Sequence, residues 1–306
     1  MKVLVAGATG AVGRRLVPQL VERGHEVVGT TTQVGKFELV HTLGADAVVM
    51  DGLDPVEVQD VVARTRPDAV VHQMTALANS VDLKHFDRTF ALTNRLRTEG
   101  TRHLLAAAAA ADVERFVVQS YIGWNAGGAT EADPLVDDPV PAQRRTLAAI
   151  RELESLARDR IVLRYGSLYG PGASEQLVEL VQKRQVPIVG DGGGVWSWLH
   201  VDDAASATVA AVERGGSGVY NVVDDEPAHV SDWLPALAAA VGAKPPRHVP
   251  AWLAKPIAGE AMTRMMTEGR GVSNAKAKRE LEWRLRWPSW RTGFVHGLAD
   301  EEAVAA

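Results

Sequence analysis

The chain has no cysteine among its 306 residues. Disulfides, thiolate nucleophiles and cysteine-ligated metals are therefore excluded, and a reducing, cytoplasmic setting is the expectation. It also lacks an excess of positive charge. Lys and Arg number 33 against 38 Asp and Glu, a net charge of −5, which argues against a nucleic-acid partner. Long apolar runs are missing too. The densest, Leu104–Ala111, stops at Asp112, far short of the roughly 20 residues that span a bilayer. It reads as a buried helix end, and neither a membrane partner nor a metal site is expected. The opening residues MKVLVAGATG run straight into a strand and a glycine turn, so no signal peptide is expected.

What is present is a rhythm. Valine-rich runs at Lys2–Ala6, Glu26–Gly29, Ala47–Met50, Ala69–His72, Arg115–Gln119 and Ile161–Tyr165 read as strands. Helical patterns near Gly13–Arg23, Pro55–Arg64, Phe86–Ala111 and Ala142–Arg158 lie between them. Near-continuous apolar strands alternating with helices predict a parallel sheet covered on both faces. The fold class is thus α/β: a Rossmann-type doubly wound parallel sheet, with a smaller, mostly helical C-terminal substrate domain. Residues 1–165 form the expected dinucleotide-binding domain, rejoined by 200–228 through a strand at Gly218–Val223. Residues 166–199 and 229–306 form the expected capping domain.

The segment VLVAGATGAVGRRLV sets Gly7, Gly10 and Gly13 between a strand and a helix. Glycine allows the tight turn and the close approach of backbone to a pyrophosphate, and the helix N-terminus supplies free N–H groups. Thr9, Ala11, Val12 and Arg14 complete this expected cofactor loop. Where an acidic residue at the end of the second strand would select NAD, this chain has Thr31 and Thr32, with Lys36 nearby. NADP is therefore the expected cofactor, with NAD as the alternative.

Further motifs fall in order. MDGLD carries Asp51 and Gly52; VVHQMTA carries Gln73, Met74 and Thr75; EGTRHLLAAA begins at Glu99; LRYGSLYGPG carries Tyr165, Gly166 and Leu168; WLHVDDAASA begins at Trp198. Together with the glycine spacing they resemble the extended short-chain dehydrogenases/reductases, the NAD-dependent epimerase/dehydratase group. The resemblance implies that Asp51 meets the adenine, that Gln73–Thr75 flank the diphosphate, and that Tyr165–Leu168 pass under the nicotinamide. Asn94 and Gln119 join the implied cofactor set, Asn94 as a residue that holds a water or kinks its helix. His72 and His200 read as structural histidines, and Asp202 or Asp203 as the cap of the following helix.

One part of the family pattern is missing. The family uses Tyr-x-x-x-Lys on the helix after the fifth strand, where the phenol moves a proton and the ammonium tunes it. Aligned here, those positions are Ala142 and Thr146, and the helix contains no tyrosine. Ser120 and Tyr121 occupy the end of the fifth strand, where the resemblance implies the catalytic hydroxyl. Tyr121 and Ser120 are thus the expected catalytic groups, with Arg144 or Arg145 supplying the missing charge.

Trp124, Trp196, Trp198 and Met262 suggest an aromatic, apolar substrate cavity. The expected activity is an NAD(P)H-dependent oxidoreductase acting on a small hydrophobic or aromatic carbonyl or alcohol. A sugar-nucleotide epimerase or dehydratase and a non-redox or non-catalytic dinucleotide-binding protein are the alternatives. The expected partner is a small-molecule substrate, with a homodimer possible through Phe86–Ala111 and Ala142–Arg158.

Overall fold

The computed structural model describes residues 1–77, 85–123, 130–135 and 139–299. Strand β1 (Lys2–Ala6) leads into helix α1 (Ala11–Glu22), then β2 (Glu26–Thr31), α2 (Phe37–Thr42), β3 (Asp46–Val49), α3 (Pro55–Thr65) and β4 (Ala69–His72). A long helix follows, α4 (Phe86–Arg95) and α5 (Thr101–Ala110), interrupted by a π turn at Leu96–Gly100. Next come β5 (Arg115–Tyr121), α6 (Arg144–Leu156) and β6 (Ile161–Tyr165). The short strands β7 (Ser167–Tyr169), β8 (Ile188–Val189), β9 (Val195–Trp196) and β10 (Trp198–His200) follow, with α7 (Glu175–Gln182) after β7. Helix α8 (Val201–Arg214) then brings the chain back to β11 (Gly218–Val222).

Seven strands form one sheet in the order β3-β2-β1-β4-β5-β6-β11, and every pair in it is parallel. The strand order reverses between β1 and β4, which opens a crevice at their C-terminal ends. The valines explain the burial. Val3, Val5, Val71 and Val117 face a core shared with α1 and α8. Leu4, Val70, Phe116 and Val118 face a second core shared with α3 and α5. Alternation along each strand fills both faces.

The Leu104–Ala111 run is not buried all round: Leu104, Ala107 and Ala108 turn inward, and Ala106, Ala109 and Ala110 are exposed. A third core is built from Tyr169, Val181, Ile188, Trp198, Trp233, Leu237, Trp290 and Phe294. It joins α7 to β12 (Ala228–His229), α9 (Val230–Ala240), β13 (His248–Val249), α10 (Ala251–Thr267) and α12 (Trp290–His296); a short α11 (Ala275–Glu280) packs its Ala277 in the first core. Two buried carboxylates fasten this region to the sheet. Asp203 accepts from the backbone N–H of Arg286 and Trp287 at 2.7 and 2.9 Å, and Asp224 accepts from Trp290 N–H at 2.9 Å.

Asp203 is therefore not the cap of α8, and neither is Asp202. His200 takes that place, its Nδ1 accepting from Asp202 N–H at 3.1 Å while its Nε2 donates to the Gly297 carbonyl at 2.8 Å. An imidazole acceptor satisfies the same orphan donor that a carboxylate would. No helix among the described residues is long and apolar enough to cross a membrane.

Candidate active site

The turn from β1 into α1 is set by glycine. Gly7 has φ of +98°, and a Cβ there would lie 2.9 Å from the Gln73 carbonyl. A Cβ on Gly13 would lie 2.3 Å from the Gly7 oxygen. Only hydrogen fits at either position. Gly10 is different: it is the N-cap of α1 with an extended backbone, and its nearest neighbour would be an ordinary 3.5 Å away. No acidic residue stands in the first turn of α1, so its N–H groups and partial positive charge face the crevice unopposed. Thr9, Ala11 and Val12 are in this turn, and Arg14 is held to it by its Nε donating to the Thr9 carbonyl at 3.0 Å. Across the crevice, Gly172 approaches Ala11, the distance from its would-be Cβ being 3.4 Å.

The other expected cofactor residues line the same C-terminal edge. Thr31 ends β2, buried and hydrogen-bonded to Gln33, while Thr32 is exposed and Lys36 half-buried. Asp51 accepts from Leu53 N–H at 2.9 Å, an Asx turn at the end of β3. Gly52 is packed on Met74, whose sulfur would be 2.5 Å from a Cβ. Gln73 is buried and donates to the Tyr165 hydroxyl at 2.9 Å, and its Oε1 has no partner among the described residues. Thr75 is exposed and Gln119 half-buried. Gly166 admits no side chain, since a Cβ would meet the Ser197 carbonyl at 2.5 Å, and Leu168 packs on the sheet core. These features fit a dinucleotide: two glycines that a Cβ would fill, an uncapped helix N-terminus and an orphaned amide oxygen.

The proton-transfer side differs from expectation at several points. Ser120 does not face the cleft. Neighbouring residues on a strand point to opposite faces, and Ser120 Oγ donates to Glu154 of α6 at 2.8 Å. Glu154 is also held by Arg164 through two bonds of 2.8 and 2.7 Å, a largely buried bidentate pair. Arg144 and Arg145 do not reach the site either. Both are exposed at the start of α6, and Arg145 approaches Asp87 at 3.9 Å. Thr146, at the family's lysine position, is fully buried and accepts a hydrogen bond from Asn94 at 3.0 Å.

Tyr121 is the tyrosine left at the cleft. Tyr165 is locked by Gln73 and Thr208, and burial pushes its hydroxyl up to about 12. Tyr169 is sealed in the third core, its hydroxyl also raised by burial. Tyr220 donates to the Gly216 carbonyl at 3.0 Å. Tyr121 lies with Ile122, Gly123, Ser167, Val195, Trp196, Ser197, Met265 and Arg270 around one small cleft. Burial raises its hydroxyl, while a hydrogen bond with Ser167 and the nearby charge of Arg97 pull it down.

Arg97 is a residue that the motifs did not single out. It lies on the π turn, is only 7% exposed, and feels Tyr121 on one side. On the other side is His72, neutral and held down at about 4 by burial, its Nδ1 accepting from Met74 N–H and its Nε2 meeting the Leu96 carbonyl at 3.3 Å. A signal was available. Phe86, Phe90, Thr93, Arg97, Thr101, Leu104 and Ala108 follow the i+3/i+4 spacing of one helix face, and Arg97 is the charged member of an otherwise apolar or small stripe.

Of the expected substrate residues, Trp196 lines the cleft and donates its Nε1–H to the Met265 carbonyl at 2.8 Å. Trp198 does not line it. Only 1% exposed, it packs edge-on against Trp233 and Phe294 at 4.8 and 5.2 Å between ring centroids. Met262 is half-buried against the same core. Trp124 lies outside the described residues.

Comparison with known proteins agrees with this geometry. The description "NAD dependent epimerase/dehydratase family" matches residues 3–222. The 3-diazoavenalumate denitrifying reductase of a Streptomyces species is 43% identical over 311 residues, covering 96% of this chain and 99% of that protein. A human epimerase family protein solved with NADPH superposes with a TM-score of 0.74 at 21% identity, covering 96% of this chain and 98% of the other. The UDP-glucose 4-epimerase of Thermus thermophilus, solved with NAD, gives 0.71 at 26% identity, covering 97% and 98%. The chain is thus an NAD(P)-dependent enzyme of the reductase, epimerase and dehydratase type, and it belongs to the NAD dependent epimerase/dehydratase family.

Proposed function

We propose that this enzyme is an NADP(H)-dependent reductase of an aromatic substrate, and that its preferred reaction replaces a diazo group by hydrogen. The observation that carries this reading is the wall formed by α6 and the turn before it: Ala142 and a Thr146 already engaged by Asn94 are the residues aligned with the family's phenol and ammonium. A site without that dyad suits a reduction that consumes no proton. When bound, the reduced cofactor supplies a hydride. An aryl diazonium carbon that gains a hydride forms a C–H bond as its C–N bond breaks, and the bonding pair leaves with dinitrogen. No oxyanion develops, so no general acid is required. The 43% identity to a denitrifying reductase over nearly the whole chain supports the same reaction class.

The residues of this chain have defined tasks in that scheme. Gly7 and Gly13 let the backbone approach the diphosphate, and Gln73 Oε1 is free to accept a bond from the cofactor. Thr31, Thr32 and Lys36 leave the end of β2 without a carboxylate, which favours the extra phosphate of NADP. Trp196 and Met265 exclude water from the cleft. Carbonyl reduction is the second reading, favoured by the Tyr121 hydroxyl and its Ser167 partner at the cleft wall.

The test uses 3-diazo-4-hydroxybenzoate as a probe, with NADPH or NADH deuterated at C4. The expected result is enzyme-dependent dinitrogen release matched by NADPH oxidation, deuterium on the ring carbon, and weaker use of NADH. Turnover of ketones or aldehydes with no dinitrogen from the probe would overturn the first reading in favour of the second.

A further inference from the structure

We propose that Arg97 is a receptor for one anionic oxygen of the substrate, a carboxylate or phenolate borne by its aromatic skeleton. Arg97 is only 7% exposed, and its Nη1 has no hydrogen-bond partner among the described residues. No hydrogen bond or ion pair to this side chain occurs among the described residues, whereas its neighbours Arg95 and Arg102 are paired with Glu99 and Glu152. An unpaired buried charge is among the most costly arrangements a protein can hold. Burial brings Arg97 down only to about 10, so it is still charged at neutral pH.

Among the described residues no ionised carboxylate pairs with Arg97. Tyr121 is a phenol whose ionisation burial opposes, and His72 is neutral. Glu154, a largely buried carboxylate of α6, is already taken by Arg164 and Ser120. The diphosphate turn is built on β1 and α1, whereas Arg97 is on the π turn, beside His72 at the end of β4 and Tyr121 at the end of β5. Two further buried polar atoms, Asn94 Oδ1 and Gln143 Nε2, lack partners among the described residues. The pattern is that of a site whose missing member is an anionic ligand. A guanidinium accommodates a carboxylate with two parallel bonds, and the π turn is the device that holds Leu96, Arg97, Gly100 and Thr101 all inward.

The inference rests on the cleft being the substrate site, but not on the reaction. Its test is therefore binding without turnover. Cinnamate, 4-nitrophenolate and the neutral methyl cinnamate are titrated into the enzyme saturated with NADP+, for the wild type and for Arg97→Met, Arg97→Gln and Arg97→Lys. In the wild type at least one anion is expected to bind ten-fold or more tighter than the ester. Whether cinnamate or 4-nitrophenolate is favoured identifies the group. Arg97→Met and Arg97→Gln remove the preference and Arg97→Lys keeps part of it, with NADP+ affinity within three-fold of wild type. Thermal stability of Arg97→Met without ligand rises, because an unpaired buried charge is gone. If Arg97→Met does not fold, Arg97→Gln and Arg97→Lys carry the comparison. No anion preference in the wild type, an unchanged preference in Arg97→Gln, or a parallel loss of NADP+ affinity would each overturn the proposal. Failure of the diazo assay alone would leave it standing.

Discussion

The two walls of the crevice are built on opposite principles. The β1–α1 wall works by removing atoms: Gly7 and Gly13 have no room for a Cβ, and the bare helix end offers backbone N–H groups. The β5–α6 wall works by burying polar side chains, some satisfied internally, as in Ser120–Glu154–Arg164, and some left open, as in Arg97 and Asn94. The first arrangement binds a group common to many enzymes through the main chain. The second is built from side chains, and its unpartnered atoms are the basis of the proposal that an anionic substrate group completes it. Fixed backbone dipoles tolerate little variation, whereas a wall of side chains can be rewritten residue by residue.

That contrast can be tested directly. The largest effect is expected from Gly13→Val. A Cβ 2.3 Å from the Gly7 carbonyl forces the loop open, and NADP(H) affinity should fall by roughly 100-fold or more, about 3 kcal/mol. Gly10→Ala, where the contact is ordinary, should bind within a few-fold of wild type; fluorescence titration compares the two. Equal losses would mean that the loop is not shaped by steric exclusion.

Next is Arg164→Met. It leaves Glu154, whose side chain is 12% exposed, with Ser120 as its remaining partner, and the loss of a largely buried charged partner costs about 1–3 kcal/mol. Denaturant unfolding should show this loss while Arg97→Met shows a gain. Two buried arginines on one wall would then have opposite signs, one structural and one not. A stability loss of under roughly 1 kcal/mol would place the Glu154 cluster with weak surface pairs.

The smallest effect, and the most discriminating for mechanism, is Tyr121→Phe. Carbonyl turnover, if the enzyme has it, should drop at least about ten-fold, the lower range of a lost general acid, with cofactor affinity unchanged. Diazo reduction should stay within about three-fold, because that reaction forms no oxyanion. A ten-fold loss in both reactions would make Tyr121 a positioning group common to the two.

The reach of the sequence varied across the molecule for identifiable reasons. Strands at Lys2–Ala6, Ala69–His72 and Ile161–Tyr165 have the expected bounds, since continuous valine and leucine runs fit a sheet covered on both faces. The glycine loop was equally plain, because close backbone approach has only one side-chain solution. The ends of β5 and α6 were harder to read. Ser120 and Tyr121 are adjacent hydroxyls, and only the phase of the strand sends one to Glu154 and the other to the cleft. Trp196 and Trp198 are likewise two residues apart. The break between β9 and β10 leaves one at the cleft and one in the third core.

The sequence by itself determined the sheet, its parallel order and the backbone cradle for a dinucleotide, because each depends on local periodicity or on glycine. It also determined the absence of a Tyr-x-x-x-Lys pair, which is a matter of composition within one helix. Arg95, Arg97, Arg102, Arg144 and Arg145 look alike along the chain. Only the tertiary structure decided which of these arginines is buried. Carboxylates from Glu99, Glu152 and Asp87 come near three of them at the surface, and Arg144 is exposed as well. The packing of the π turn against α6 buries Arg97 beside His72 and Tyr121, with no partner for its Nη1 among the described residues. Charge is written in the sequence, but whether it is solvated, paired or held open for a ligand depends on what folds over it.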